Sequence, residues 1–560
     1  MNSIPKNTKI TTAIGMPLRA ATKRHFHGAF VSPIAPLAGS IASLITAATL
    51  TGVFSPHAEA ASVTWTGGSG ADWNTGTNWS TNPNKPLPAD TAVFNSALTS
   101  VAVGTSATIT GISFDSSAGT AGGTFTLGTL GGGTISGSNG GTTQMLATIA
   151  GTGKTITVNA PFVIIPATTT TAGGYTFSNN SGETTNTLVL AGPITSATTS
   201  NTTTLTLSGS NTGVNTVSGA ITTGSAGTFV VFKAGLGTWA LTSSGSWNGT
   251  TNVAGGSLQF SGAGANAGNG AYSLYQGALT IDNTGAGNNN YNRIGDASAF
   301  SLYTGSLIYK GSDQAGTNST ETIGTLTQNT SGGAITISYG GSNLATLTAT
   351  SFGHTSSNPT TLVNGANLGK NNTDTGSVGK LILTTAPTLV GSSTASATGI
   401  AVGTANTKID PYLVGESSSS TGLGTATGTA NTFVTYIAGS GVRPLSTNPA
   451  DGEFSYHTIS TGNNTYIDQA TAVATSATVN SLVINGGNLS IADGQTLANT
   501  SGAILFASSH GILPSGSTGA LTFGSGVEAM ITVDPGVTGT IGANITASGN
   551  NVITIGGAGT

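Results

Sequence analysis

The sequence predicts an all-β chain, a parallel β-helix (β-solenoid) with irregular loops, on three observations. Short apolar runs alternate at period two along most of the chain. Turns of Gly, Asn and Ser separate them, and 85 of the 560 residues are glycine. Charged residues make up 6%, where ordinary globular chains carry about 25%. The Leu, Glu and Lys periodicity of amphipathic helices is missing. One stretch, 229–262, holds the pattern most clearly. There Val230, Phe232, Trp239, Leu241, Val253, Leu258 and Phe260 fall at strand spacing between turns at 234–237, 245–249 and 255–256. Strands that short cannot bury an apolar face alone, so the unit must stack on similar units. Disorder is the competing reading of a Gly/Ser/Thr-rich chain; a mean hydropathy of +0.14 and the aliphatic alternation argue against it.

Taken in order, residues 1–60 read as an export leader. Lys6, Lys9, Arg19, Lys23 and Arg24 precede a weakly apolar segment, 37–54, and then Ala58-Glu59-Ala60. Cleavage after Ala60 is expected, leaving a chain that starts at Ala61; a retained membrane anchor at 37–54 is the rival. Thr22-Lys23-Arg24-His25-Phe26 also resembles a twin-arginine export motif with Lys for its first Arg. The region 61–100 holds three of the five tryptophans, Trp65, Trp73 and Trp79, with Pro86 and Pro88. Large aromatics and prolines suit a capping module, since the first coil of a solenoid lacks a neighbour on one side. Sugar stacking on these three tryptophans is the functional alternative. Solenoid coils are expected over 101–350, from runs such as 108–114, 124–127, 155–163 and 204–207. Over 351–475 the solenoid is expected to carry loop insertions at 356–359, 417–428 and 448–452, and over 476–560 regular coils resume and break off in mid-repeat.

The residues Lys233, Gly235, Gly237-Thr238, Leu241, Gly249, Thr250-Thr251, Val253, Gly256 and Leu258 resemble the autotransporter-associated β-strand repeat, K-x-G-x-G-T-x-x-L followed by G-x-T-x-V-x-x-G-x-L. Where that family carries an aromatic-Thr-Gly-Gly turn, this chain has Trp247-Asn248-Gly249-Thr250. The resemblance implies a right-handed β-helix of the passenger type, secreted or displayed on the outer surface of a bacterium, with a stalk or adhesin role.

The chemistry is sparse. No cysteine occurs, so neither disulfides nor thiol chemistry are available. Beyond the leader the chain carries a formal charge of −8 with no basic stripe, which argues against nucleic acid and anionic lipid as partners, and no membrane insertion of the mature chain is expected. Gly151-Thr152-Gly153-Lys154-Thr155 imitates the end of a P-loop, but Thr148 stands where its first glycine belongs and a strand pattern follows. Gly67 to Asp72 matches the opening of a calcium β-roll repeat, but Asn74 replaces the large apolar residue such repeats need. Only His354, His457 and His510 follow the leader, and no zinc or serine-hydrolase spacing appears. No cofactor or metal is implied.

An enzyme acting on polysaccharide would gather carboxylates with a cation. Its candidates are Arg443 with Asp451 and Glu453, and Arg293 with Asp296. Pro444 and Pro449 mark the first set as a turn region, so solvated loops are the expectation for both. Two classes remain: a non-catalytic surface protein, stalk or adhesin, and a carbohydrate-binding or carbohydrate-degrading β-helix, with an extracellular polysaccharide or cell-surface ligand as partner. Ice or mineral binding is a third reading, from Thr202 to Thr206 and Thr346 to Thr348; it needs Thr-x-Thr in register on successive coils.

Overall fold

The computed structural model describes residues 61–560 except 116–122, 139–143, 166–171, 198–200, 225–226, 330–331, 341–342, 356, 358, 366, 370–377, 394–403, 417–429, 548 and 550. The leader at 1–60, its cleavage point and the loop at 417–428 lie outside the described residues.

Each apolar run makes one strand of a coil, and a longer run turns a corner. Thus 108–114 divides into Ala107–Ile109 and Gly111–Phe114, and 155–163 into Thr155–Val158 and Phe162–Ile165. Successive coils pair edge to edge and build three faces. Among the described residues, face one is a sheet of twelve strands from Ser62–Thr64 to Phe352–His354. Face two is a sheet of fourteen from Ser100–Val101 to Gly441–Pro444, and face three is made of sheets of five, two and three strands. No α-helix occurs among the described residues; Gly76–Asn78 and Pro449–Asp451 are single 3-10 turns.

Parallel register puts like residues above one another, which is how the apolar rows are buried. Trp239, Leu258, Leu279, Leu307 and Ile335 stand in one row on successive coils, each with 0% exposure. The stacked rows form one continuous core from Val63 to Val442. Side chains between them point outward, giving the alternating burial of a strand with one dry side.

The 229–262 unit shows why its residue types recur. It forms Thr228–Lys233, Thr238–Leu241, Ser244–Gly245, Thr251–Val253 and Ser257–Phe260. Lys233 is fully buried, and its Nζ donates to the carbonyls of Ala234 (2.7 Å), Gly235 (3.0 Å) and Gly255 (2.9 Å). One ammonium therefore ties the turn of its own coil to the turn of the next, and burial pulls its pKa down to about 8. Gly235 has φ +67°, and a Cβ there would lie 2.5 Å from the Gly209 carbonyl oxygen; Gly256 has φ +59° and meets Gly237 at 2.4 Å. Trp247, in the variant turn, is buried, donates Nε1–H to Thr251 Oγ1 (2.9 Å) and stacks on Phe260. Lys233→Ala strips three turn carbonyls of their donor, so a loss on the order of 2 kcal/mol is expected. Guanidinium unfolding measures it; a midpoint equal to the parent's would refute the tie.

The 351–475 region departs from the expected parallel coils. Face two continues in parallel from Thr361–Asn364 to Asp410–Gly415, which then pairs antiparallel with Thr432–Ile437, and that strand antiparallel with Gly441–Pro444. An antiparallel neighbour needs no crossover coil, so this meander ends the first stack.

A second stack follows, with a six-strand face from Ser455–Tyr456 to Ile553–Gly557 and two faces of four strands. The four middle strands of its six-strand face are dry on both sides. Ile467, Leu482, Ile484, Ile504 and Phe506 point into the second stack. Tyr466, Val483 and Leu505 pack outward against Ile409, Val414, Phe433 and Leu445 at the end of the first. Hydrogen bonds cross this junction from Asn464 N–H to the Ala405 carbonyl (2.6 Å), from Ser357 N–H to Glu528 (2.7 Å), and between the hydroxyls of Thr360 and Thr532 (2.7 Å).

Candidate functional site

The three tryptophans proposed for sugar stacking offer no free face. Trp65, Trp73 and Trp79 are 2%, 1% and 1% exposed. Trp65 and Trp73 each meet Trp79 at a centroid distance of 4.9 Å, edge to face, and all three pack against Phe94. The Trp79 Nε1–H donates to the Trp73 carbonyl at 2.7 Å. Stacking on a sugar requires an exposed ring, so these residues are corrected from candidate contacts to core aromatics.

The second candidate set is gathered, but it is closed on itself. Glu453 has no exposed surface and takes both Nη atoms of Arg443, one at 2.9 Å, while also accepting the Ser446 N–H at 2.6 Å. The Asp451 carboxylate accepts the Ser446 hydroxyl. The expectation of solvated loops is wrong here, because the strand Gly441–Pro444 carries Arg443 under the turn that presents Glu453. It is wrong for Arg293 too, which has no exposed surface. Its Nε donates to Asn283 Oδ1 (2.6 Å), and its Nη atoms to the carbonyls of Gly264 (2.6 Å) and Asn288. The carboxylate beside Arg293 is Glu321, not Asp296: it accepts the N–H groups of Arg293 and Ile294 at 3.0 Å each.

The motif look-alikes have structural partners as well. Gly151 and Gly153 sit at φ +85° and +67° in a turn that leads into the strand Thr155–Val158. Asp72 accepts the N–H groups of Asn74 (2.9 Å) and Gly104 (3.2 Å), linking two coils. Among the described residues no group of three His, Asp or Glu side chains is gathered as a metal site, and no helix is long and apolar enough to cross a membrane.

What the surface does present is the outer side of face two. One row of outward positions runs through Thr124, Thr155 and Thr187, a second through Thr126, Thr157, Val189 and Thr216. All are half-buried except Thr124, which is exposed, and the hydroxyls of Thr155 and Thr187 lie 3.1 Å apart. The arrays expected at Thr202 to Thr206 and Thr346 to Thr348 lie on the other two faces. Thr204 and Thr206 face Val230 and Phe232 on the next coil, and Thr346 and Thr348 match Thr320 and Thr322 on one side but Lys380 and Ile382 on the other.

Farther along, Thr238, Ser257, Ala278, Ser306, Ala334 and Leu362 stand in one register row. Its last three members line a cleft of about 440 Å³ at the junction of the stacks, with Thr304, Thr360, Val414 and Thr532. Asp534 also lines it, 5% exposed, accepting the Ala430 N–H; burial pushes its carboxyl up to about 7. At the corner before face two, the half-buried rings of Tyr275 and Tyr303 stack at 4.5 Å, and Thr304 donates N–H and hydroxyl to the Tyr275 carbonyl.

These coils define the class as a parallel β-solenoid of two stacks. No family model matches the chain, and neither does any curated protein or solved structure.

Proposed function

We propose that the chain is a secreted or surface-displayed, non-catalytic β-solenoid of the autotransporter-passenger type, acting as a stalk or adhesin. The observation that carries this reading is the use made of its rare ionisable groups. The two arginines after residue 60 are both buried in structural contacts, Arg443 on Glu453 and Arg293 on three oxygens around it. Catalysis on a sugar chain needs such groups facing a substrate, with room for it between them. The repeat-like unit at 229–262 supports the class, since its Lys and Gly residues hold one coil turn to the next.

The test is incubation of the purified chain from residue 61 with a panel of neutral and anionic polysaccharides. Reducing ends and polymer length are followed over days. Retention on a polysaccharide or a cell surface with no chain cleavage is expected. Reproducible cleavage, kept through repurification, overturns the non-catalytic reading.

A further inference from the structure

We infer that the outer side of face two, from the coil at Thr124–Leu127 to the cleft at Ser306 and Ala334, is a binding surface for an uncharged, hydroxyl-rich polysaccharide laid across the coils. It rests on the adhesin reading only in naming what the surface holds.

Three features converge there. The first is the pair of hydroxyl rows, in register over successive coils. Neighbouring strands of a sheet stand about 4.8 Å apart, and alternate residues of one strand about 7 Å apart. Thr126 and Thr157 on neighbouring coils, and Thr216 two coils farther on past Val189, therefore present donors, acceptors and methyl groups to a chain lying along the stack. The second is charge. The strands Thr124–Leu127, Thr155–Val158, Thr187–Leu190, Val214–Val217, Thr238–Leu241 and Ser257–Phe260 contain no ionisable side chain, and on the two that follow, Ala278–Asp282 and Ser306–Lys310, the one cation, Lys310, is paired with Asp282 at 3.2 Å. An anionic polymer would find no unpaired cation on these strands and a formal charge of −8 on the chain beyond residue 60. A neutral polymer forfeits nothing. The third is continuity: the row through Ser257 and Ala278 enters the cleft at Ser306, beside the Tyr275–Tyr303 stack. Aromatic rings, hydroxyls and a buried carboxyl such as that of Asp534 are the groups that recognise sugars.

An ordered solid such as ice or a mineral is the rival occupant of a hydroxyl array. It demands an unbroken lattice, and Val189 and Ala240 interrupt the second row. A polysaccharide is flexible enough to pass over a missing hydroxyl.

The experiment compares binding of a soluble neutral β-glucan, a glucomannan and alginate by affinity electrophoresis and calorimetry. Parent, Thr126→Lys/Thr157→Lys and a face-one control, Thr204→Lys, are used, each checked by circular dichroism and melting. Neutral polymer is expected to bind the parent with little salt dependence, tenfold or more weaker to the double variant, and unchanged to the control. Amide hydrogen exchange of the parent with and without glucan needs no variant, and protection should appear on face two. Equal binding by all three proteins, protection elsewhere, preference for alginate, adsorption to ice alone, or no binding to either neutral polymer overturns the inference. Cleavage of a bound glucan would sink the non-catalytic reading and leave this surface standing.

Discussion

Replacing Arg443 by Ala is expected to cost about 3–5 kcal/mol, the range for breaking a buried ion pair from one side. The reason lies in Glu453. It has no exposed surface, and its carboxylate is matched by two guanidinium nitrogens and the Ser446 N–H. Without the guanidinium a charge remains in a dry site with one donor, and the site must admit water, take up a proton or unfold. Glu453→Ala should cost a similar amount, since it strands the cation. Joint replacement, Arg443→Met with Glu453→Leu, should recover much of the loss, because no charge is then left buried. Guanidinium unfolding of the four proteins closes the cycle. Single-variant losses under about 1 kcal/mol would mean that the pair is wet in solution.

The pair also marks where sequence reading stops. Arg443 and Glu453 are ten residues apart, and Pro444 and Pro449 between them are local signals of a turn. Burial comes from elsewhere, since the second stack packs Tyr466 and Leu505 onto the same end of the first. No local pattern announces that. By contrast the first stack was legible, because its strands have one dry side and alternate accordingly, as in Thr204, Leu205, Thr206 and Leu207.

The second stack carries a sequence signal of its own. Ser481–Ile484, Ala503–Phe506 and Ala529–Val533 are continuous rather than alternating runs, the mark of a strand buried on both faces, and each is buried throughout. The hydroxyl rows of face two were hidden for a different reason. Thr155 and Thr187 are register partners 32 residues apart, while Thr238 and Ser257 are 19 apart. With coil lengths that vary, no fixed period aligns them, and only backbone pairing does. The tryptophans mislead because burial and sugar stacking ask for the same residue type; which face is free is settled by packing alone.

The folded chain is expected to be more stable in mild acid than above neutrality, an effect of three carboxyls. Burial pushes Glu321 up to about 7, Asp410 to about 6 and Asp534 to about 7, from ordinary values near 4. Burial outweighs the backbone donors that favour ionisation: Arg293 and Ile294 for Glu321, Tyr412 for Asp410 and Ala430 for Asp534. The Arg293 guanidinium also favours the ionised form of Glu321, while Asp296 opposes it. Because the folded values are raised, the folded state holds protons that the unfolded state has released between about pH 4 and 7. The stabilisation is therefore complete below about pH 4 and lost as pH climbs through 6 and 7, on the order of several kcal/mol for the three together. Asp410 and Asp534 lie where the stacks meet, next to Ile409 and Val533, so their ionisation should loosen the junction first. Asp410→Asn with Asp534→Asn should flatten the profile, and Glu321→Gln should flatten what remains. Guanidinium midpoints from pH 5 to 8 supply the measurement. A midpoint that rises with pH, or a slope untouched by the paired Asn variant, would show that these carboxyls are solvated in the folded chain.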